Sequence, residues 1–287
     1  MKLPVSNVAE LEKWVQGFAD GCFECLILVS WPGTGKTTIL EKAVKDKAHI
    51  LKGGQISAFQ FYIELYENRD RLIVVDDIDS LLGDRETVNL LKCVANTDPV
   101  KIVGWHTSTS KLGDIPRKFS TTSKIAITTN DWKSINKSLG AVENRGVVIS
   151  YEPTASHIHE QVLPLFQEAE AEVYQFIGQN VHLIKEPSFR LYLNTAKARA
   201  ARVDWRSAFL GSLKLTPQEV IVATLKADLS YQKEEDRATA FIDATGMHRA
   251  TYFRIAKKLE TMRLGDTKPP HDDDDLELYQ PEEIPTP

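Results

Sequence analysis

The chain has 287 residues, 42% of them hydrophobic, and a formal net charge of −5. That length suits two modest domains, or one domain with additions, and the apolar content supports real cores. With no long apolar stretch, no basic-then-apolar N-terminus and only three cysteines, the sequence predicts no membrane span, no secretory signal and a reducing cytoplasm.

In chain order, residues 7–19 place Val8, Leu11, Trp14, Val15 and Phe18 on one helical face and predict an amphipathic helix. Cys22 and Cys25 form a CxxC, but no second pair exists to close a zinc site, and both read as ordinary thiols. Cys25 opens an apolar run through Val29 that predicts a buried strand. The run Ser30-Trp31-Pro32-Gly33-Thr34-Gly35-Lys36-Thr37 follows, then a predicted helix through Lys45. Six of those eight residues fit the phosphate-binding loop GPPGTGKT, in the strand–turn–helix context it requires. Gly33 and Gly35 let successive N–H groups point into one concavity, which with the helix N-terminus holds a polyphosphate. Pro32, Thr34 and Thr38 complete the expected binding set for ATP. Lys36 reaches the β- and γ-phosphates, and the Thr37 hydroxyl ligates Mg²⁺. Ser30 replaces the first glycine of the pattern.

Next come a short predicted strand at 49–51 and a helix over 56–67. The apolar run 71–75 then ends in Asp76 and Asp77, as a Walker B strand does: Asp76 for the metal, Asp77 for the attacking water. A further strand at 124–129 ends in Asn130, a polar group able to hold that water. Glu143-Asn144-Arg145-Gly146 precedes the strand 147–150.

This order of parts resembles the AAA+ ATPases, above all their DNA-handling branches: clamp loaders, helicase loaders and initiators. The resemblance covers about residues 20–210. It implies a P-loop NTPase fold of the α/β class, a three-layer αβα parallel sheet over 1–153 followed by a small helical lid over 154–212. It assigns Asn130 to sensor 1 and Arg145 to the arginine that reaches a neighbouring subunit's γ-phosphate, hence a homo-oligomer, ring or filament. Many relatives carry Glu where this chain has Asp77, which implies slower hydrolysis or a shifted water. Lid helices are expected at 157–166, 169–179 and 187–201, with Arg190 as sensor 2 and Arg199, Arg202 and Arg206 as rivals.

Between Walker B and sensor 1, residues 101–119 begin with β character and continue as a polar loop with Lys111, Arg117 and Lys118. Either this is one more core strand with a solvated connection, or it is a nucleic-acid-facing hairpin of the superfamily 3 helicase kind.

From Thr216 on, a predicted helix at 239–244, the turn Thr245-Gly246-Met247 and a predicted helix at 248–262 read as a helix-turn-helix within 213–268. Met247, Tyr252, Ala256 and Leu259 are assigned to its core. His248, Arg249, Thr251, Arg254, Lys257 and Lys258 are assigned to DNA, and residues 248–268 hold six Lys/Arg against two acids. Residues 269–287 read as a disordered acidic tail. Seven acids and no Lys or Arg lie in 271–287, so the rest of the chain carries +2. The sequence therefore predicts an ATPase that remodels or loads a DNA-bound, replication-type assembly, with a protein partner such as a helicase and no membrane contact. A translocating helicase and a slowly hydrolysing, nucleotide-switched DNA-binding regulator remain as alternatives.

Overall fold

The computed structural model describes residues 2–106, 112–132, 139–166, 170–228 and 230–265. The chain forms two compact units, one ending at Val203 and the other beginning at Asp204.

The first unit is built on a six-stranded sheet. Its strands are β1 (Lys2–Val5), β2 (Cys25–Val29), β3 (Ala48–Lys52), β4 (Leu72–Asp76), β7 (Ile125–Thr129) and β8 (Val147–Tyr151), in the order β1-β8-β2-β7-β4-β3. Every pairing in it is parallel. Parallel strands need a crossover between neighbours, so helices cover both faces and the strands read as unbroken apolar runs. Alternate residues of β2 serve opposite layers. Leu26 and Leu28 pack with Leu11, Val15 and Phe18 of α1 (Val8–Ala19) and Leu40 and Val44 of α2 (Lys36–Val44). Cys25 and Ile27 pack with Phe61, Tyr62 and Leu65 of α3 (Ala58–Glu67) and Val88, Leu91 and Val94 of α5 (Arg85–Val94). The three-layer αβα expectation is met. The short α4 (Asp79–Gly83) precedes α5, and α6 (Gly140–Glu143) precedes β8.

Two parts of this unit differ from the sequence reading. β1 was not expected: four residues with a proline give little periodicity, yet Lys2–Val5 pairs with β8 at the sheet edge, where a residue lacking an N–H is tolerated. The segment 101–119 adds no strand to the main sheet. β5 (Lys101–Gly104) and β6 (Lys118–Thr121) instead pair with each other, antiparallel. Val103, Trp105 and Phe119, from this pair and the residue after β5, join the core. Lys101 is buried and donates to Glu24 and to the Ser123 carbonyl at 2.8 Å, while Lys124 reaches Glu24 at 2.6 Å. Burial alone would raise the Glu24 carboxyl, but the two lysines outweigh it and hold it below its ordinary range. Arg117 and Lys118 are exposed; Lys111 lies outside the described residues. Burial pushes the Cys25 thiol up to about 12.

After β8 come α7 (Ala155–Val162), α8 (Ala171–Gln179) and α9 (Phe189–Ala200). The segment 154–212 divides between the units, because α10 (Trp205–Gly211) belongs with the second and packs on α11 (Pro217–Ala227). α12 (Glu234–Thr245) and α13 (Arg249–Gly265) complete that unit. Gly246 closes α12 at φ 67°, a conformation glycine adopts without strain. Tyr252, Ile255, Ala256 and Leu259 form the buried face of α13, and Met247 is half-buried. The acidic tail lies outside the described residues.

In the first unit, His159 of α7 stacks on Tyr174 of α8, with ring centroids 4.0 Å apart and planes 13° apart, and lies 3.1 Å from the Tyr192 hydroxyl. Burial holds this imidazole below its ordinary value of 6.5. Above that pH the neutral ring is present in both folded and unfolded chains. As pH falls through it, the unfolded chain takes up a proton that the folded chain refuses, and stability drops. Thermal melts from pH 7.5 to 5.5 should therefore fall more steeply for the natural chain than for His159→Asn. Equal slopes would show that His159 titrates normally when folded.

Candidate phosphate-binding cleft

The sheet topology builds the cleft. β7 lies between β2, which leads into the phosphate loop, and β4, which ends in the acids. Its register sets Val29 beside Thr129 and Asp76 beside Thr128, so Ser30, Asn130 and Asp77 leave the same sheet edge together.

At that edge Lys36 is only 7% exposed. Its ammonium donates to the Ser30 carbonyl at 3.0 Å and to Asn130 Oδ1 at 2.6 Å. The Asn130 amide in turn donates to Asp77 Oδ1 at 2.9 Å. This lysine is held among fixed partners, as a buried ammonium requires. Thr37 donates to Asp76 Oδ1 at 2.8 Å, and Thr128 donates to the same oxygen. Asp77 sits at φ 56°, a left-handed conformation that Asp tolerates better than most residues. Its N–H donates to the Thr128 carbonyl at 3.2 Å.

The loop itself turns at Gly33 (φ 83°) and Gly35 (φ 86°), and Gly35 caps α2. A cleft of about 680 Å³ opens here, lined by Pro32, Gly33, Gly35, Lys36, Thr37 and Thr38 on the loop side. Asp76, Asp77, Asn130 and Arg190 line it as well. Thr34 is fully buried and shares a 2.8 Å hydrogen bond with the Ser30 hydroxyl, so it braces the loop from behind. The glycine turn at a helix N-terminus fits a polyphosphate. The paired Thr37 hydroxyl and Asp76 carboxylate fit a Mg²⁺ that takes its other oxygens from phosphate and water.

Of the four candidate lid arginines, Arg190 reaches this cleft, while Arg199 pairs with Glu172 at 3.1 Å. Arg202 sits at φ 58° just beyond α9, and Arg206, in the second unit, lies over the Trp205 ring. Arg145 does not line its own chain's cleft. It is half-buried and donates to the carbonyl of Ala141, the second residue of α6. The sequence reading missed Thr128 and Phe189. A hydroxyl two residues before Asn130 in the same strand run could have flagged the first; Phe189, in the lid, gave no local signal.

In the second unit, the six residues assigned to DNA do not form one uncommitted face. Arg249 pairs with Glu235 and lies over the Phe253 ring. Lys258 donates at 2.6 Å to Glu219, which is 6% exposed and also closes the capping box of α11. The Lys258 hydrogen bond holds the Glu219 carboxyl below its ordinary range. Thr251 is half-buried and His248 exposed. Arg254 and Lys257 are exposed at i, i+3 on α13, with no ion pair among the described residues.

No family model matches the chain. An uncharacterized 36.7 kDa protein of Enterobacteria phage T4, from its nrdC-mobD intergenic region, is 31% identical over 125 residues. That match spans 40% of this chain and 38% of the phage protein's length. Among solved structures, the chain is similar to the Thermotoga maritima RuvB Holliday junction branch migration motor. The TM-score is 0.46 at 13% identity, over 90% of this chain and 86% of that one. It is also similar to a DNA replication initiation factor, with a TM-score of 0.39 at 14% identity, over 89% and 87%. Brucella abortus NtrX in complex with ADP gives 0.43 at 14% identity, over 88% and 68%.

Because Gly33 combines φ 83° with a missing Cβ that would come within 3.0 Å of Ser188 Cβ, Gly33→Ala should cost more than backbone strain. Gly53, at φ 55° with open space around it, isolates the backbone contribution of about 1–2 kcal/mol. Denaturant unfolding should find Gly33→Ala the more damaging of the two. Equal losses would mean that the lid does not press on the loop.

Proposed function

We propose that this protein is an ATPase of the AAA+ type that hydrolyses ATP between subunits and acts on a DNA-bound assembly of the replication kind. The observation that carries the reading is the chain Lys36–Asn130–Asp77, with Thr37 and Thr128 on Asp76 beside it. Lys36 and the loop amides would hold the β- and γ-phosphates. Mg²⁺, when bound at Thr37 and Asp76, would neutralise charge on the phosphates. Asp77 is held by Asn130 at the sheet edge, where it would orient the attacking water. Since hydrolysis transfers the γ-phosphoryl group to water, the protein supplies position and charge rather than a covalent intermediate.

Arg145 supports the interfacial part of the reading. It lies outside its own cleft, so any charge it lends to phosphoryl transfer goes to a neighbouring copy. A DNA contact by α13 would rest on Arg254 and Lys257 rather than on the whole basic set. A helicase as protein partner, a cytoplasmic setting and the roles of Lys111 and the tail belong to the same proposal.

Lys36→Ala should lower ATP turnover by about a hundredfold, the scale of losing one charge-stabilising donor. Asp77→Asn should retain ATP and lose turnover. Arg145→Ala should do the same, and mixing it with Asp77→Asn should restore part of the rate, because a mixed interface pairs an intact Asp77 with an intact Arg145. Normal hydrolysis by Lys36→Ala would overturn the reading; no recovery in the mixture would overturn its interfacial part.

Phosphate contacts by Arg254 and Lys257 should make DNA affinity fall with salt, with a log–log slope of about −0.9 per phosphate neutralised. Changing both to Ala should flatten that slope in a binding titration. An unchanged slope would reassign α12 and α13 to protein interaction.

A further inference from the structure

The loop departs from GPPGTGKT at Ser30 and Trp31, and both replacements make bonds that the pattern's residues could not. Ser30 ties the loop to itself through Thr34. Trp31 ties it to a segment 156 residues away: its indole N–H donates to the Pro187 carbonyl at 2.8 Å. A proline at position 31 has no donor to offer there.

The reciprocal bond lies two residues on. Phe189 is the first residue of α9, and its N–H is one of the donors that a helix leaves without an internal partner. It donates to the Gly33 carbonyl at 2.8 Å. The two segments therefore each give one donor and take one. Their approach is close enough that a Cβ on Gly33 would meet Ser188 Cβ at 3.0 Å and Arg190 Cγ at 3.2 Å, and one on Gly35 would meet the Phe189 ring at 3.3 Å. The next residue in the helix is Arg190, which lines the phosphate cleft.

We propose that Trp31 is a positioning residue: it clasps the N-terminus of α9 to the phosphate loop and so holds Arg190 over the cleft. The clasp fixes the backbone that carries Arg190 before any phosphate arrives, so less order has to be imposed on binding. Its value to ATP rests on the cleft's function proposed above; the clasp itself does not.

Two measurements on the full chain test it, both with Trp31→Phe, which keeps an aromatic ring and removes the donor. The first is hydrogen exchange without nucleotide. Exchange of the Phe189 amide should quicken about twofold to tenfold, the range that one neutral hydrogen bond supports. An unchanged rate overturns the clasp, whether or not the protein binds ATP. The second is ATP affinity. Trp31→Phe should weaken ATP binding about twofold to tenfold, as should Arg190→Ala. The double variant should bind no more weakly than Arg190→Ala alone, because the two act through one group. Full additivity overturns the link from Trp31 to Arg190. A natural chain that binds no ATP overturns the cleft's function instead, and leaves the exchange rate to decide the clasp.

Discussion

The cleft depends on β7 pairing with β2 and β4 at the same time. Lys36 is buried, and a buried ammonium is tolerable only where fixed acceptors replace its water. One acceptor, the Ser30 carbonyl, comes from the end of β2, and the other, Asn130, from the end of β7. The β4 register brings Asp77 within reach of the same asparagine. A slip of one residue in either pairing would turn every side chain of the strand to the opposite face. Thr128 would then leave Asp76, and Asn130 would leave both of its partners. The apolar alternation that fixes the register, Ile125 and Ile127 to one layer and Ala126 to the other, therefore also fixes the polar constellation at its end.

Strain collects where that constellation is assembled. Gly33, Gly35 and Asp77 all sit at positive φ within one cleft. The two glycines adopt it at little cost. Asp77 does not, and it is held there by the Thr128 carbonyl on its N–H and by Asn130 on its carboxylate. Residues kept in sparsely populated backbone conformations persist only where their surroundings over-determine them. Here the surroundings are the neighbouring strand ends.

The C-terminal unit shows how a basic stretch is consumed by its own fold. Lys258 satisfies the nearly buried Glu219, a carboxylate that would otherwise be costly where it stands. Arg249 pairs across to α12 through Glu235, and Arg237 donates to the carbonyls of Leu225 and Tyr231. Local charge count overstates the surface offered to an anionic partner, because a helix packed among acidic neighbours uses part of its charge internally.

The sequence by itself determined the elements whose signals are local. The strand into the phosphate loop, the loop, the acidic strand end, the strand ending in Asn130 and the turn at Gly246 all follow from apolar runs, glycine chemistry and helical period within a few residues. Tertiary structure alone decided matters that join distant segments. These are the pairing of Lys2–Val5 with β8, the antiparallel pairing of Lys101–Gly104 with Lys118–Thr121 and the placing of Arg190 in the lining of the cleft. The commitment of Lys258 to Glu219 and the reach of Trp31 to Pro187 are of the same kind. The physical reason is the same in each case. Hydrophobic period and turn residues report the conformation of their own neighbourhood, whereas a hydrogen bond between residues 156 apart exists only after the fold has brought the N-terminus of α9 to the loop that follows β2.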